Sequence, residues 1–158
     1  MTLHDELLGR FAQGAMWYED RYPGDNNNNR IVIPVQFEHA DPPIPVIVDT
    51  GAPWPILDPH KADELGIDYR AGGWRANPLY IRGFLYYGWF CDMTVTFVVD
   101  EGFGRSLDVE ATVFIPELPP DEAWLHPNFI GLDGLLNRVR FAVDPENNLF
   151  YFGAQMAD

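Results

Sequence analysis

The chain has 158 residues, enough for one domain with a core of its own, and 10 basic against 24 acidic residues give a formal net charge of −14 with His neutral. A surface of that sign disfavours nucleic acid and anionic membranes, and no run approaches the roughly eighteen uninterrupted apolar residues of a membrane-spanning helix. The lone Cys91 excludes an intrachain disulfide, and His4, His39, His60 and His126 are too dispersed for a structural zinc site.

Residues 2–16 read as a helix. Leu3, Leu7, Leu8, Phe11 and Ala15 fall near one face, and Thr2 and Asp5 supply a cap. Gly9 and Gly14 each cost that helix about 1 kcal/mol against Ala. Gly24-Asp25-Asn26-Asn27-Asn28-Asn29 is a polar loop, so residues 1–29 are expected to form an N-terminal helical appendage with its loop, ahead of the main domain at 30–158. The opening Met1-Thr2-Leu3-His4-Asp5-Glu6 lacks the basic start and apolar stretch of a signal peptide. A soluble cytoplasmic protein is the expectation.

Residues 30–38 and 44–48 read as strands, separated by the turn Asp41-Pro42-Pro43. The second runs straight into Asp49-Thr50-Gly51-Ala52. An unpaired charge at the end of a buried strand is costly, so Asp49 needs donors, a metal, or a second carboxylate to share a proton with. Gly51 lets backbone N–H groups approach it closely. Asp and Gly are also ordinary turn residues, and the tetrapeptide alone does not decide between the two readings.

Asp58 then caps a short helix of about two turns, with Pro59 at its first position and Gly66 at its end. From Leu85 to Val99 every odd position is apolar, a strand signature, and Val109, Ala111, Val113 and Ile115 repeat it. A Pro-rich loop at 117–127 carries Trp124 and His126 and leads to Phe129-Ile130-Gly131. A short helix from 133 to about 139 and a closing hairpin of 140–143 with 149–152 complete the expected elements. Ser106, the only serine, sits in a turn without nucleophile-elbow surroundings.

Taken together, Asp49-Thr50-Gly51-Ala52 and the downstream Phe129-Ile130-Gly131-Leu132-Asp133 resemble the motif pair of the retropepsin-like aspartic proteases. The resemblance covers about residues 30–153. It implies a mainly β chain: a closed acid-protease-type barrel with two short helices. The family's catalytic Asp falls on Asp49, with Thr50 and Gly51 completing the catalytic loop. Ala52 and a flap tip at Arg82-Gly83 would contact substrate, the flap lying within residues 71–88.

Because one chain supplies one such loop, the resemblance also implies a homodimer acting on a peptide or protein substrate, with neither metal nor organic cofactor. Pro53 and Leu132 stand where retroviral members often carry a paired acid and Arg, and Trp54 replaces a small polar residue. Trp54 either plugs the core or narrows the cleft. Two other readings stay open: a dimeric retropepsin-fold scaffold that binds peptides without turnover, and an unrelated small-molecule-binding barrel.

Overall fold

A computed structural model describes residues 2–155. Eleven strands run in chain order: β1 (Gly14–Trp17), β2 (Val32–Phe37), β3 (Ile44–Val48), β4 (Trp74–Arg75), β5 (Leu79–Ile81), β6 (Phe84–Tyr86), β7 (Gly88–Phe97), β8 (Leu107–Pro116), β9 (Phe129–Ile130), β10 (Val139–Asp144) and β11 (Leu149–Ala154). Three short helices join them: α1 (Leu3–Leu7), α2 (Pro59–Glu64) and α3 (Tyr69–Gly72). Among the described residues no helix is long and apolar enough to cross a membrane.

The largest sheet has the order β4-β7-β2-β3-β9, with β8 laid along the other edge of β7. The period-two pattern of β7 explains its place at the centre, since Cys91, Met93, Val95 and Phe97 all turn into the main core. β8 answers it residue for residue, from Gly88 opposite Pro116 to Phe97 opposite Leu107. The ladders do not close this sheet into a continuous barrel. Its edges β8 and β9 are joined only through Ile56, which forms isolated bridges to Phe114 and Phe129.

The N-terminal segment departs from the expected helix. The capping box forms as read, Thr2 N–H donating to Asp5 Oδ2 at 2.9 Å and Asp5 N–H to Thr2 Oγ1 at 3.2 Å. The helix nevertheless stops at Leu7, and residues 14–17 become a strand paired with β11, Gly14 opposite Phe152 and Trp17 opposite Leu149. Gly9, at φ +89°, turns the chain between them. Ala15 and Met16 are fully buried in this arrangement. Long-range pairing outweighs a helical spacing that two glycines had already weakened.

Two further differences have local causes. In place of a helix at 133–139, a turn leads into one 3-10 turn at Leu136–Arg138. Gly134 sits at φ +84° and interrupts helical geometry, and a Cβ there would lie 2.6 Å from the Thr112 carbonyl oxygen. Leu85 and Tyr87 fit the strand alternation yet are 44% and 56% exposed. They belong to the hairpin β5–β6 and its exit, a two-stranded ribbon outside the main sheet.

Gly14 tests how firmly the first strand belongs to the fold. A Cβ there would come within 2.4 Å of the Arg105 carbonyl oxygen and 2.7 Å of the Phe152 ring. Gly14→Ala is expected to destabilise the protein by about 1–3 kcal/mol, read as a lower urea midpoint with an unchanged slope. An unchanged midpoint would mean that β1 is dispensable.

Candidate functional site

Parallel pairing of β3 with β9 sets Ile47 opposite Phe129 and Val48 opposite Ile130. The ladder ends where the Asp49 N–H donates to the Ile130 carbonyl at 3.0 Å. The loop then folds on itself: Gly51 N–H donates to Asp49 Oδ1 at 3.0 Å, and Ala52 N–H to the Asp49 carbonyl at 3.1 Å. A methyl group at Gly51 would lie 3.3 Å from that same Oδ1, so Gly here serves the close approach of backbone to carboxylate.

The downstream motif locks this loop from the other side. Leu132 N–H donates to the Ala52 carbonyl at 2.9 Å, and Asp133 N–H to the Pro53 carbonyl at 2.7 Å. Gly131 makes the contact possible, since a Cβ there would lie 2.6 Å from Trp54 backbone atoms and 2.7 Å from the Ala52 oxygen. Trp54 packs its ring on Phe90, with centroids 4.7 Å apart, and against Gly134. It therefore plugs the space beneath the loop rather than lining the cavity described next.

That cavity, of about 200 Å³, is lined by Asp49, Gly51, Ala52, Pro53 and Ile56 below and by Tyr80, Ile81, Arg82 and Phe129 around them. Asp49 is its only carboxylate and Arg82 its only base. The hairpin β5–β6 turns through Arg82 (φ +50°) and Gly83 (φ +86°), a two-residue connection with Ile81 opposite Phe84. The Arg82 guanidinium lies 5.1 Å from the Phe129 ring centroid. Of the residues singled out in the sequence, Asp49, Gly51, Ala52 and Arg82 thus meet at one cavity. Thr50 is exposed beside it, and Gly83 is exposed beyond Arg82.

Sequence reasoning gave no role to the residues that tie the hairpin down. The Tyr86 hydroxyl and His126 Nε2 are 2.8 Å apart. Trp124 packs against both, with centroids 5.0 Å from Tyr86 and 4.8 Å from His126. Burial, and then the nearby Arg82 charge, push the His126 pKa below its ordinary 6.5. The only hint in the sequence was the aromatic content of the Pro-rich loop. Among the described residues no group of three or more His, Cys, Asp or Glu side chains is placed to hold a metal ion.

No protein-family model matches the chain, and no curated protein matches it. Among solved structures it is similar to a retropepsin-like aspartic protease from Rickettsia conorii, with a TM-score of 0.55 and 18% identity over 90% of this chain and 94% of that one. The EIAV protease complexed with the inhibitor HBY-793 also matches, with a TM-score of 0.49 and 18% identity over 72% of this chain and 91% of that one. The ladder order, the paired loops and the similarity to the Rickettsia structure agree: this chain has a retropepsin-like fold.

Proposed function

We propose that the chain is an aspartic-type endopeptidase that works as a homodimer. The observation that carries this reading is a single carboxylate, Asp49, at the floor of a cavity beneath a two-stranded hairpin. Water attack on a peptide bond needs one carboxylate as general base and one carboxylic acid as proton donor. Two carboxylates about 3 Å apart cannot both ionise, so they share a proton and divide those roles, as the aspartic proteases exemplify. One chain offers only half of the pair. A twofold partner supplies the other Asp49, and Thr50, exposed on the same loop, reaches toward the partner's loop.

In the dimer the ionised Asp49 takes a proton from water while the protonated one donates to the substrate carbonyl oxygen. Gly51 N–H holds the carboxylate in position. Ala52, Arg82 and Gly83 contact the peptide, and the hairpin excludes water from it. Neither a metal nor an organic cofactor enters these steps.

Asp49→Asn is expected to leave a folded dimer whose cleavage of a mixed peptide library falls by at least about 10²-fold. Library digestion across roughly pH 3 to 8, the range in which a carboxylate pair titrates, with sedimentation of both proteins, makes the comparison. Full turnover by Asp49→Asn, or a protein that remains monomeric while cutting, would remove the dyad. Wild type that binds peptides without cutting them would point to the scaffold reading.

The hairpin adds a second pH dependence. His126 has a folded-state pKa below 6.5, so the unfolded chain binds the extra proton first as pH falls. The stability from neutral His126 is therefore present above about pH 6.5 and lost as pH drops through its lower folded value. Between about pH 7.5 and about pH 5 the urea midpoint of wild type is expected to fall more steeply than that of His126→Gln. Equal slopes in the two proteins would show that the ring carries no such linkage.

A further inference from the structure

Arg82 faces two cavities. On one side is the cavity of Asp49, and on the other a hollow of about 330 Å³ bounded by Tyr22, Asp25, Arg82, Trp124 and His126. Nothing among the described residues neutralises the guanidinium. The ion pairs there are Arg30–Asp25, His39–Asp108, Lys61–Glu64 and Arg75–Glu117. Arg82 lies instead by the face of Phe129, which orients the planar group without discharging it.

The second cavity presents donors. The Tyr22 hydroxyl oxygen accepts from Asn128 N–H at 3.2 Å and from Asn128 Nδ2 at 3.3 Å, which leaves its own proton to give. In the tautomer whose Nε2 accepts the Tyr86 hydroxyl, His126 has an Nδ1–H as well. Asp25 is the one acid present; Asn27 N–H donates to its Oδ1 at 3.0 Å, and Arg30 Nε lies 4.0 Å from its Oδ2, beyond hydrogen-bond reach.

A hollow of donors around one unneutralised guanidinium fits a carboxylate, which Arg meets with two parallel N–H bonds. We propose that this second cavity is a substrate subsite for an acidic side chain, Asp or Glu, and that Arg82 selects it. The inference rests on reading Asp49 as the centre of a peptide cleft. Because Arg82 walls both cavities, a peptide with its reacting bond at Asp49 places a nearby side chain on the far side of Arg82. The chain's net charge of −14 repels acidic peptides at long range, but salt screens that repulsion far more than it screens a contact inside the groove.

The test uses one mixed peptide library against wild type, Arg82→Gln and Arg82→Glu. Cut sites are sequenced, and peptides retained by each immobilised protein are counted. Arg82 is an exposed turn residue, and Gln or Glu takes its backbone conformation no less readily, so all three proteins fold. In wild type, Asp and Glu are expected to be enriched about tenfold near the cut and among retained peptides, the size of one charge-assisted contact. Arg82→Gln loses the enrichment, and Arg82→Glu shifts it toward Lys and Arg. No acidic enrichment in wild type, or the same enrichment in Arg82→Glu, overturns the subsite. Retention that follows Arg82 without cleavage by any of the proteins overturns the protease reading and leaves the subsite standing. Cleavage without acidic preference does the reverse.

Discussion

The position of the Asp49 carboxylate depends on backbone contact between two loops far apart in the chain. β3 and β9 bring them together as a short parallel ladder, an arrangement that a local turn cannot produce. Four backbone hydrogen bonds then shape and fasten the loop: Asp49 to Ile130, Ala52 to Asp49, Leu132 to Ala52 and Asp133 to Pro53. Each contributes about 1 kcal/mol net. Gly131 is the hinge of this constraint, because a side chain there would collide with Trp54 and Ala52 backbone. The backbone bonds and the Trp54 plug fasten the loops here.

The same constraint explains which parts of the molecule could be read from the sequence. The strand pattern of 89–97, the Asp58-Pro59 helix start and the Arg82-Gly83 turn are local signals. Each reappears as β7, as α2 with Asp58 Oδ1 accepting from His60 N–H, and as a two-residue hairpin turn. The loop pair was legible because both halves carry motifs. Residues 14–17 were not. Their helical spacing is a local feature, whereas their pairing with β11 depends on Phe152 and on space that only Gly14 leaves open. The contact of Tyr86 with His126 was hidden for the same reason, since no periodicity links a hairpin to a Pro-rich loop. The alternation from Leu85 to Val99 reads as one strand, but the chain breaks at Tyr87 into β6 and β7, and Leu85 and Tyr87 are exposed because the main sheet does not cover them.

Charge is distributed unevenly with respect to the cavity. The chain carries 24 acids, yet the cavity beside the hairpin holds one acid and one base. A second acid from the same chain in that space would already have spoiled the symmetric sharing of a proton, because like charges in low dielectric push each other's pKa apart. With no second acid in the cavity walls, the proposed mechanism takes its second acid from another copy of the chain. The proposed mechanism thereby links chemistry to assembly: a single copy holds a lone carboxylate in this cavity, and only a symmetric pair would bring acid and base together.

Under the proposed function the hairpin would admit a peptide and then cover it. β5 and β6 pair only with each other, and an isolated two-stranded ribbon is marginal in water. It rests on Arg82 by the Phe129 face, on Tyr86 at His126, and on Ile81, which is buried in a cluster with Ile56, Phe114, Trp124 and Phe129. Exposed Tyr80 and Phe84 add little burial to hold it shut. In the proposed subsite Arg82, resting on Phe129 in the empty groove, would turn toward a carboxylate when the groove is filled. The exchange of a ring face for a charged partner would shift the hairpin toward closure only when a peptide is bound, because only the bound state gains the stronger contact.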